Sequence, residues 1–217
     1  MEQLKTLEKN MEKRSCRKLH KQLRDAMTPQ EVTEKSAKIC QLLCSEPWYQ
    51  ECNRIYAYYP LGNEVDCISF LQQALCDGKH VALPRTEAEY RMEFYEIMSL
   101  EDVEEGNFHV MEPKRSCKLV QPYESLGEQS KHDVEQPVKS REQKSCETVV
   151  IVPGVVFDRM GNRYGYGKGY YDRYFSRFSQ PRRFALAFEN QIEDALEEVL
   201  DTDVKMHQIY TENGPCM

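Results

Sequence analysis

The sequence predicts an α/β protein, a single-domain three-layer α/β/α sandwich around a mostly parallel central sheet. Thr148 to Val152 (TVVIV) is continuously β-branched with no polar alternation, as a strand covered on both faces must be. Elsewhere, segments of helical periodicity alternate with short apolar runs, the rhythm of βαβ units. At 217 residues the chain has the length of one ordinary domain, residues 1–217, and shows no internal repeat.

Residues up to about Met27 read as a first helix. Thr28-Pro29-Gln30-Glu31 then supplies an N-cap, a proline at the first helical position and a capping-box glutamate for a second helix running to about Ser45. Arg54 to Tyr59 is a predicted strand, Val65 to Cys76 a helix stopped at Gly78, and His80 to Leu83 a second strand. Met92 to Ile97 alternates, as an antiparallel strand does; Phe184 to Phe188 and Gln208 to Thr211 complete the strands. Between Lys114 and Lys144 the chain turns to Ser, Gln, Glu and Lys with two prolines. Such a segment buries too little apolar surface to offset its ordering entropy, so residues at about 114–146 are expected to form an exposed or disordered insertion, with a lid as the alternative.

A net charge of −7 and 30% charged residues suit a soluble protein. No apolar run approaches the roughly 20 residues that cross a bilayer, and MEQLKTLEKN is too polar for a secretory signal. Nine scattered cysteines with no C-x-x-C speak against structural zinc or a disulfide framework and for reduced thiols in the cytoplasm. Cys40, Cys67 and Cys76 fall where a small core residue is wanted.

Chemistry concentrates after the TVVIV strand. Pro153 and Gly154 stop it, and past Asp158 come Gly161, Gly165, Gly167 and Gly169, threaded with Arg163, Tyr164, Tyr166 and Lys168 and closed by Tyr170, Tyr171 and Asp172. Glycines let backbone N–H groups converge on an anion, Arg and Lys add charge, and Asp172 can hold a magnesium ion. The spacing matches neither the Walker loop nor the dinucleotide G-x-G-x-x-G. Glycines alone would suit a mobile surface turn equally well; Arg, Lys and Asp beyond a buried strand point to a ligand.

In the first helix, Lys13, Arg14, Arg17, Lys18, Lys21 and Arg24 carry no acidic residue among them, and Cys16, Leu19, Leu23 and Met27 mark its apolar face. Lys13 and Arg17 stand four apart and can reach one point. A run of this kind is ordinarily a solvated face. It lacks the aromatic residues that membrane insertion or nucleic-acid stacking would use, so neither partner is expected.

The run PGVVFD-x-x-GNRYGYGKGYYDRY resembles the signature of the 5-formyltetrahydrofolate cyclo-ligase (methenyltetrahydrofolate synthetase) family. KRSCRKLHKQLRDAM, YYPLGNEVD, ALPR, FHVMEP, FALAFENQI and IYTE follow in that family's order, leaving about Cys117 to Cys146 as the main exception. The resemblance implies the same three-layer fold, ATP and Mg2+, 5-formyltetrahydrofolate as the substrate, and a monomer. It puts Lys13, Arg14 and Arg17 at ATP phosphates, with Lys18, Lys21 and Arg24 left at the surface. It makes Arg163, Tyr164, Gly165, Tyr166, Gly167, Lys168, Gly169, Tyr170 and Tyr171 the nucleotide-binding stretch, of which Tyr166 to Tyr170 also face the folate. Tyr59 and Glu64 become substrate contacts, although a glutamate after a strand is ordinarily a helix N-terminal charge. Asp172 becomes the metal ligand and Asp203 a second acidic position near it; His207 stands where the family commonly has aspartate. Met92 and Phe94 suit either a pterin pocket or a core strand.

The implied reaction closes 5-formyltetrahydrofolate to 5,10-methenyltetrahydrofolate. N10 must attack an amide-like formyl carbon and expel its oxygen, a poor leaving group until ATP phosphorylates it. The protein then has to supply alignment and charge neutralisation, a task for Arg163 and Lys168 as the catalytic pair. A non-catalytic folate- or nucleotide-binding paralogue is the alternative.

Overall fold

The computed structural model describes residues 2–106, 109–122 and 148–217, with side chains from Met11 onward. In chain order the first half holds α1 (Glu2–Asp25), α2 (Pro29–Ser45), α3 (Pro47–Glu51), β1 (Arg54–Tyr56), α4 (Ile68–Cys76), β2 (His80–Thr86) and β3 (Met92–Ile97). Short strands β4 (Val103–Glu105), β5 (Met111–Pro113) and β6 (Lys118–Val120) follow. The second half holds β7 (Thr148–Val152), β8 (Val156–Asp158), β9 (Arg163–Tyr164), α5 (Tyr170–Arg177), β10 (Arg182–Leu186), β11 (Ile192–Glu193), β12 (Gln208–Thr211) and β13 (Gly214–Pro215).

The central sheet has eight strands in the order β13-β12-β10-β7-β1-β2-β3-β6. From β12 to β2 every neighbouring pair is parallel, and antiparallel strands close both edges. β7 lies between β1 and β10 with all five residues buried, which explains its uninterrupted β-branched sequence. Alternate side chains serve two cores. Ile55, Val149, Ile151, Phe184 and Leu186 pack with Ile39 and Leu43 of α2, Trp48 of α3 and Phe70 and Leu71 of α4. Tyr56, Val150, Val152 and Ala185 pack on the other face with Tyr171, Tyr174 and Phe175 of α5. Helices thus cover both faces, giving the predicted three-layer α/β/α arrangement.

The capping box of α2 forms as its sequence requires: the Thr28 hydroxyl accepts from the Glu31 N–H at 3.2 Å, and the Thr28 N–H donates to Glu31 Oε2 at 2.8 Å. Met92 and Phe94 are core residues, with Phe94 stacked on Tyr56 at 4.9 Å between centroids.

Four expectations need correction. Leu19 and Leu23 of α1 are 52% and 42% exposed, because the helix docks through a different side, onto β8 and the segment at Glu189–Gln191 instead of onto the central sheet. There His20 is buried between the Asn190 carbonyl at 2.9 Å and Glu193 at 2.8 Å. Arg24, on that same side, is buried and not a surface cation. Cys40 and Cys67 are buried as expected, but Cys76 at the end of α4 is exposed. Lys118–Val120, inside the supposed loop, pairs with β3 as an edge strand, since backbone pairing there needs no aliphatic face. The rest of the insertion, residues 123–147, lies outside the described residues.

Candidate active site

The sheet reverses at β1. From β1 the chain crosses to β2 on one side, while β7, β10 and β12 build out the other. Ligands of open α/β sheets bind beyond the carboxyl ends of the strands at such a reversal. At that place Glu64, in the turn after β1, and Pro153 and Gly154, after β7, line a narrow crevice. Pro153 also borders a larger cleft of about 380 Å³, within the ordinary range for small-molecule sites.

The cleft is walled by the loop from Gly165 to Gly169 and the start of α5, by Lys13 and Arg17 of α1, and by Glu198, Leu200 and Asp203. The chain reaches this geometry through a tight turn. The Asp158 carboxylate, fully buried, accepts from the N–H groups of Met160 (2.9 Å), Asn162 (2.8 Å) and Leu196 (2.9 Å), and from Asn162 Nδ2 (2.7 Å). That turn sends β9 back along β8 and delivers Arg163 beside Pro153, whose carbonyl it meets at 3.3 Å. Gly167 (φ 84°) and Gly169 (φ 64°) take left-handed conformations that a side chain would strain, and Gly169 caps α5.

Charges in the cleft are paired across it. Arg163 Nη2 donates to both oxygens of Asp172, at 3.1 and 3.3 Å, and the Val204 N–H donates to Asp172 Oδ1 at 3.2 Å. Lys13 Nζ bonds Asp203 Oδ2 at 2.9 Å and the Glu198 carbonyl at 3.2 Å. Tyr164 is buried beneath this arrangement. Its ring lies under Lys13 Nζ (4.6 Å) and the Arg17 guanidinium (5.6 Å), and its hydroxyl accepts from the Glu198 N–H. Burial pulls the Arg17 guanidinium below its usual pKa, opposed by Tyr164 and Asp203. Arg17 Nε and Arg163 Nε are buried with no hydrogen bond among the described residues. Lys168 is exposed on the rim.

In the crevice Glu64 is 6% exposed and accepts from the Leu61 N–H at 3.0 Å and from the Tyr166 hydroxyl. Burial raises its pKa; those two hydrogen bonds and nearby Arg24 partly counter the rise. The Tyr166 ring belongs to the cleft wall, so the two depressions meet at this side chain.

Of the residues singled out from sequence, Lys13, Arg17, Arg163, Gly165 to Asp172 and Asp203 therefore line one cleft, with Glu64 alongside. Three stand apart. Arg14 is exposed and does not line the cleft, Tyr59 packs against the core of α2 and α4, and Tyr164 supports the cations from below. His207 lies outside the cleft as well: its Nδ1 accepts from the Arg183 N–H at 2.9 Å at the start of β10. Sequence reasoning missed Arg24, Glu198 and the structural part of Asp158, although D-x-x-G-N is a recognisable turn signal for the last.

A magnesium ion takes one or two carboxylates and completes its shell with waters and phosphate oxygens. Asp172 and Asp203 offer that donor set, brought together by the Val204 N–H on Asp172, and no cluster of three ligating side chains occurs among the described residues.

A profile of the 5-formyltetrahydrofolate cyclo-ligase family matches residues 9–212. The mouse 5-formyltetrahydrofolate cyclo-ligase is 29% identical over 213 residues, covering 95% of this chain and 97% of that protein. The Arabidopsis thaliana mitochondrial 5-formyltetrahydrofolate cyclo-ligase is 27% identical over 221 residues, covering 94% of this chain and 75% of the relative. The solution structure of 5,10-methenyltetrahydrofolate synthetase from Aquifex aeolicus superposes with a TM-score of 0.74 at 26% identity, over 94% of this chain and 91% of the other. With the fold, the glycine-rich cleft and a profile match that runs almost end to end, this chain belongs to the 5-formyltetrahydrofolate cyclo-ligase family.

Proposed function

We propose that the protein uses ATP to cyclise 5-formyltetrahydrofolate to 5,10-methenyltetrahydrofolate, releasing ADP and phosphate, with the triphosphate in the cleft and the pterin toward Glu64. The observation that carries this reading is the cleft itself: Lys13, Arg17, Arg163 and Lys168 converge with Asp172 and Asp203 on one space at the sheet's reversal. Four of these six charges neutralise one another through Lys13–Asp203 and Arg163–Asp172, and Arg17 and Lys168 add net positive charge. A magnesium triphosphate carries the matching set, anionic oxygens for the cations and a cation for the carboxylates, so both pairs can exchange partners without leaving a buried charge unmatched.

A magnesium ion held by Asp172 and Asp203 would supply charge neutralisation on the transferring phosphoryl group. The chain's own part is positional. Arg17 and Arg163 each keep a buried Nε donor unused, suited to a phosphoryl oxygen, while Tyr164 fixes Lys13 and Arg17 from below. Lys168, exposed on the rim, supplies a point charge on a long side chain. Glu64 offers an acceptor to pterin N–H groups. The formyl oxygen attacks the γ-phosphorus as the bond to ADP breaks; N10 then adds to the formyl carbon, loses its proton, and the C–O bond breaks to release phosphate. No protein nucleophile is required.

Arg163→Ala and Lys168→Ala should each lower kcat by on the order of 10²-fold while 5-formyltetrahydrofolate still binds, as expected for groups that meet charge developing in the transition state. Wild-type turnover in both variants would remove them from the catalytic role. We further assign the protein to the cytoplasm, as a monomer acting without nucleic acid. The eight described cysteines are all free, which suits a reducing compartment, and no helix among the described residues is long and apolar enough to cross a membrane. Cell fractionation tests the compartment and sedimentation the monomer.

A further inference from the structure

Arg24 occupies a place that a surface charge has no reason to take. It is 3% exposed, and with Glu64 it lines the crevice at the sheet's reversal. Its Nη2 donates to the Tyr166 hydroxyl at 2.9 Å, and its Nη1 stands 4.0 Å from the Glu64 carboxylate. Nε and Nη1 are buried and make no hydrogen bond among the described residues. A buried guanidinium with unused donors is costly, so the arrangement calls for an acceptor that arrives from outside. Tyr166, whose ring belongs to the cleft wall, holds its hydroxyl against both members of the pair.

The Tyr166 hydroxyl does two things at once. It donates to Glu64 and accepts from Arg24. A donor beside an acceptor is also what one edge of a cyclic amide presents, an N–H next to a C=O. The pterin of a reduced folate carries such an edge at N3–H and C4=O. Tyr166 sits between Gly165 and Gly167, the latter at φ 84°, a backbone conformation that glycine adopts freely.

Resting on the reading of Glu64 as a folate contact, the geometry points to Arg24 as a specificity-determining residue. Arg24 and Glu64 form a two-point socket for the C4=O and N3–H edge of the pterin, and the Tyr166 hydroxyl fills that socket until substrate displaces it. The cation–carboxylate pair then selects 4-oxo over 4-amino pteridines, because a 4-amino group turns a donor toward a donor.

The test is calorimetry without ATP at pH 8, using 5-formyltetrahydrofolate and its 4-amino-4-deoxy analogue. The wild type is expected to favour the 4-oxo compound by about tenfold or more, and Arg24→Leu to reduce that ratio to about twofold or less while binding the 4-amino analogue as the wild type does. Arg24→Lys, which keeps the charge but not the fork, should lose most of the ratio too and serves if the leucine variant does not fold. Tyr166→Phe keeps the ring and should bind the 4-oxo compound about two- to tenfold tighter. An unchanged ratio in the Arg24 variants overturns the socket, and unchanged or weaker binding in Tyr166→Phe overturns the displaced hydroxyl. Failure of the folate reading looks different: Glu64→Gln would then leave both affinities untouched.

Discussion

A Cβ added at Gly165 would come within 2.5 Å of Arg163 Nη1, the far end of a flexible side chain. Gly165→Ala should therefore fold normally but push the guanidinium off Asp172, with kcat falling about tenfold or more for a change of one methyl group; an unaltered kcat would mean that the Arg163 position is unimportant. Glu64 makes a different claim. Its carboxyl is raised by burial, so the folded state holds its proton more tightly than the unfolded chain does. The sign follows directly: Glu64 costs nothing below its unfolded pKa, and stability is lost as pH rises from there through the folded pKa. The melting temperature of Glu64→Gln relative to wild type should thus increase between about pH 4 and pH 7, since glutamine carries no charge to bury. A difference that stays flat or falls across that range would contradict the burial argument. A buried carboxylate that costs stability is a reasonable mark of a group kept for binding.

Among the elements, α2 and α1 show where sequence is a good guide and where it is not. The Thr28-Pro29-x-Glu31 start of α2 was readable because a cap is local: every atom that makes it lies within four residues. β7 was readable because burial on both faces leaves no polar position to fill. In α1 the apolar spacing held for Cys16, which packs against Val156, Tyr164 and Leu196, but misled at Leu19 and Leu23, since the helix docks largely by hydrogen bonds and ion pairs of Lys13, His20 and Arg24 with partners about 40 to 190 residues away. Arg24 in a basic run has the same local signature as exposed Lys18 and Lys21, so nothing short of the tertiary contacts distinguishes them. These readings predict opposite outcomes for two substitutions. Thr28→Ala should cost about 1 kcal/mol, seen as a melting point lower by a few degrees with kcat intact. Leu19→Ser, on the exposed side, should change stability by less than about 0.5 kcal/mol; a large loss there would mean that the helix docks on its apolar face after all.

At the scale of the whole molecule, the site follows from topology. Reversal of strand order at β1 places the turn bearing Glu64 next to the end of β7, and the glycine-rich loop between β9 and α5 closes the space with α1 laid across it. The glycine-rich loop, its cations and Asp172 were legible in one contiguous stretch. Their meeting with Lys13, Arg17, Asp203 and Glu64 was legible only through resemblance, because it depends on how segments far apart in sequence pack. We propose that this cleft drives an ATP-dependent ring closure with Asp172 at its metal site. The most direct measurement is the absorbance of the methenyl product after mixing the protein with 5-formyltetrahydrofolate, magnesium and ATP, alongside a sample without ATP and Asp172→Ala. Product should form only with ATP and fall by on the order of 10²-fold or more in the variant. Absence of product in the wild type despite folate binding, or full activity in Asp172→Ala, would contradict it.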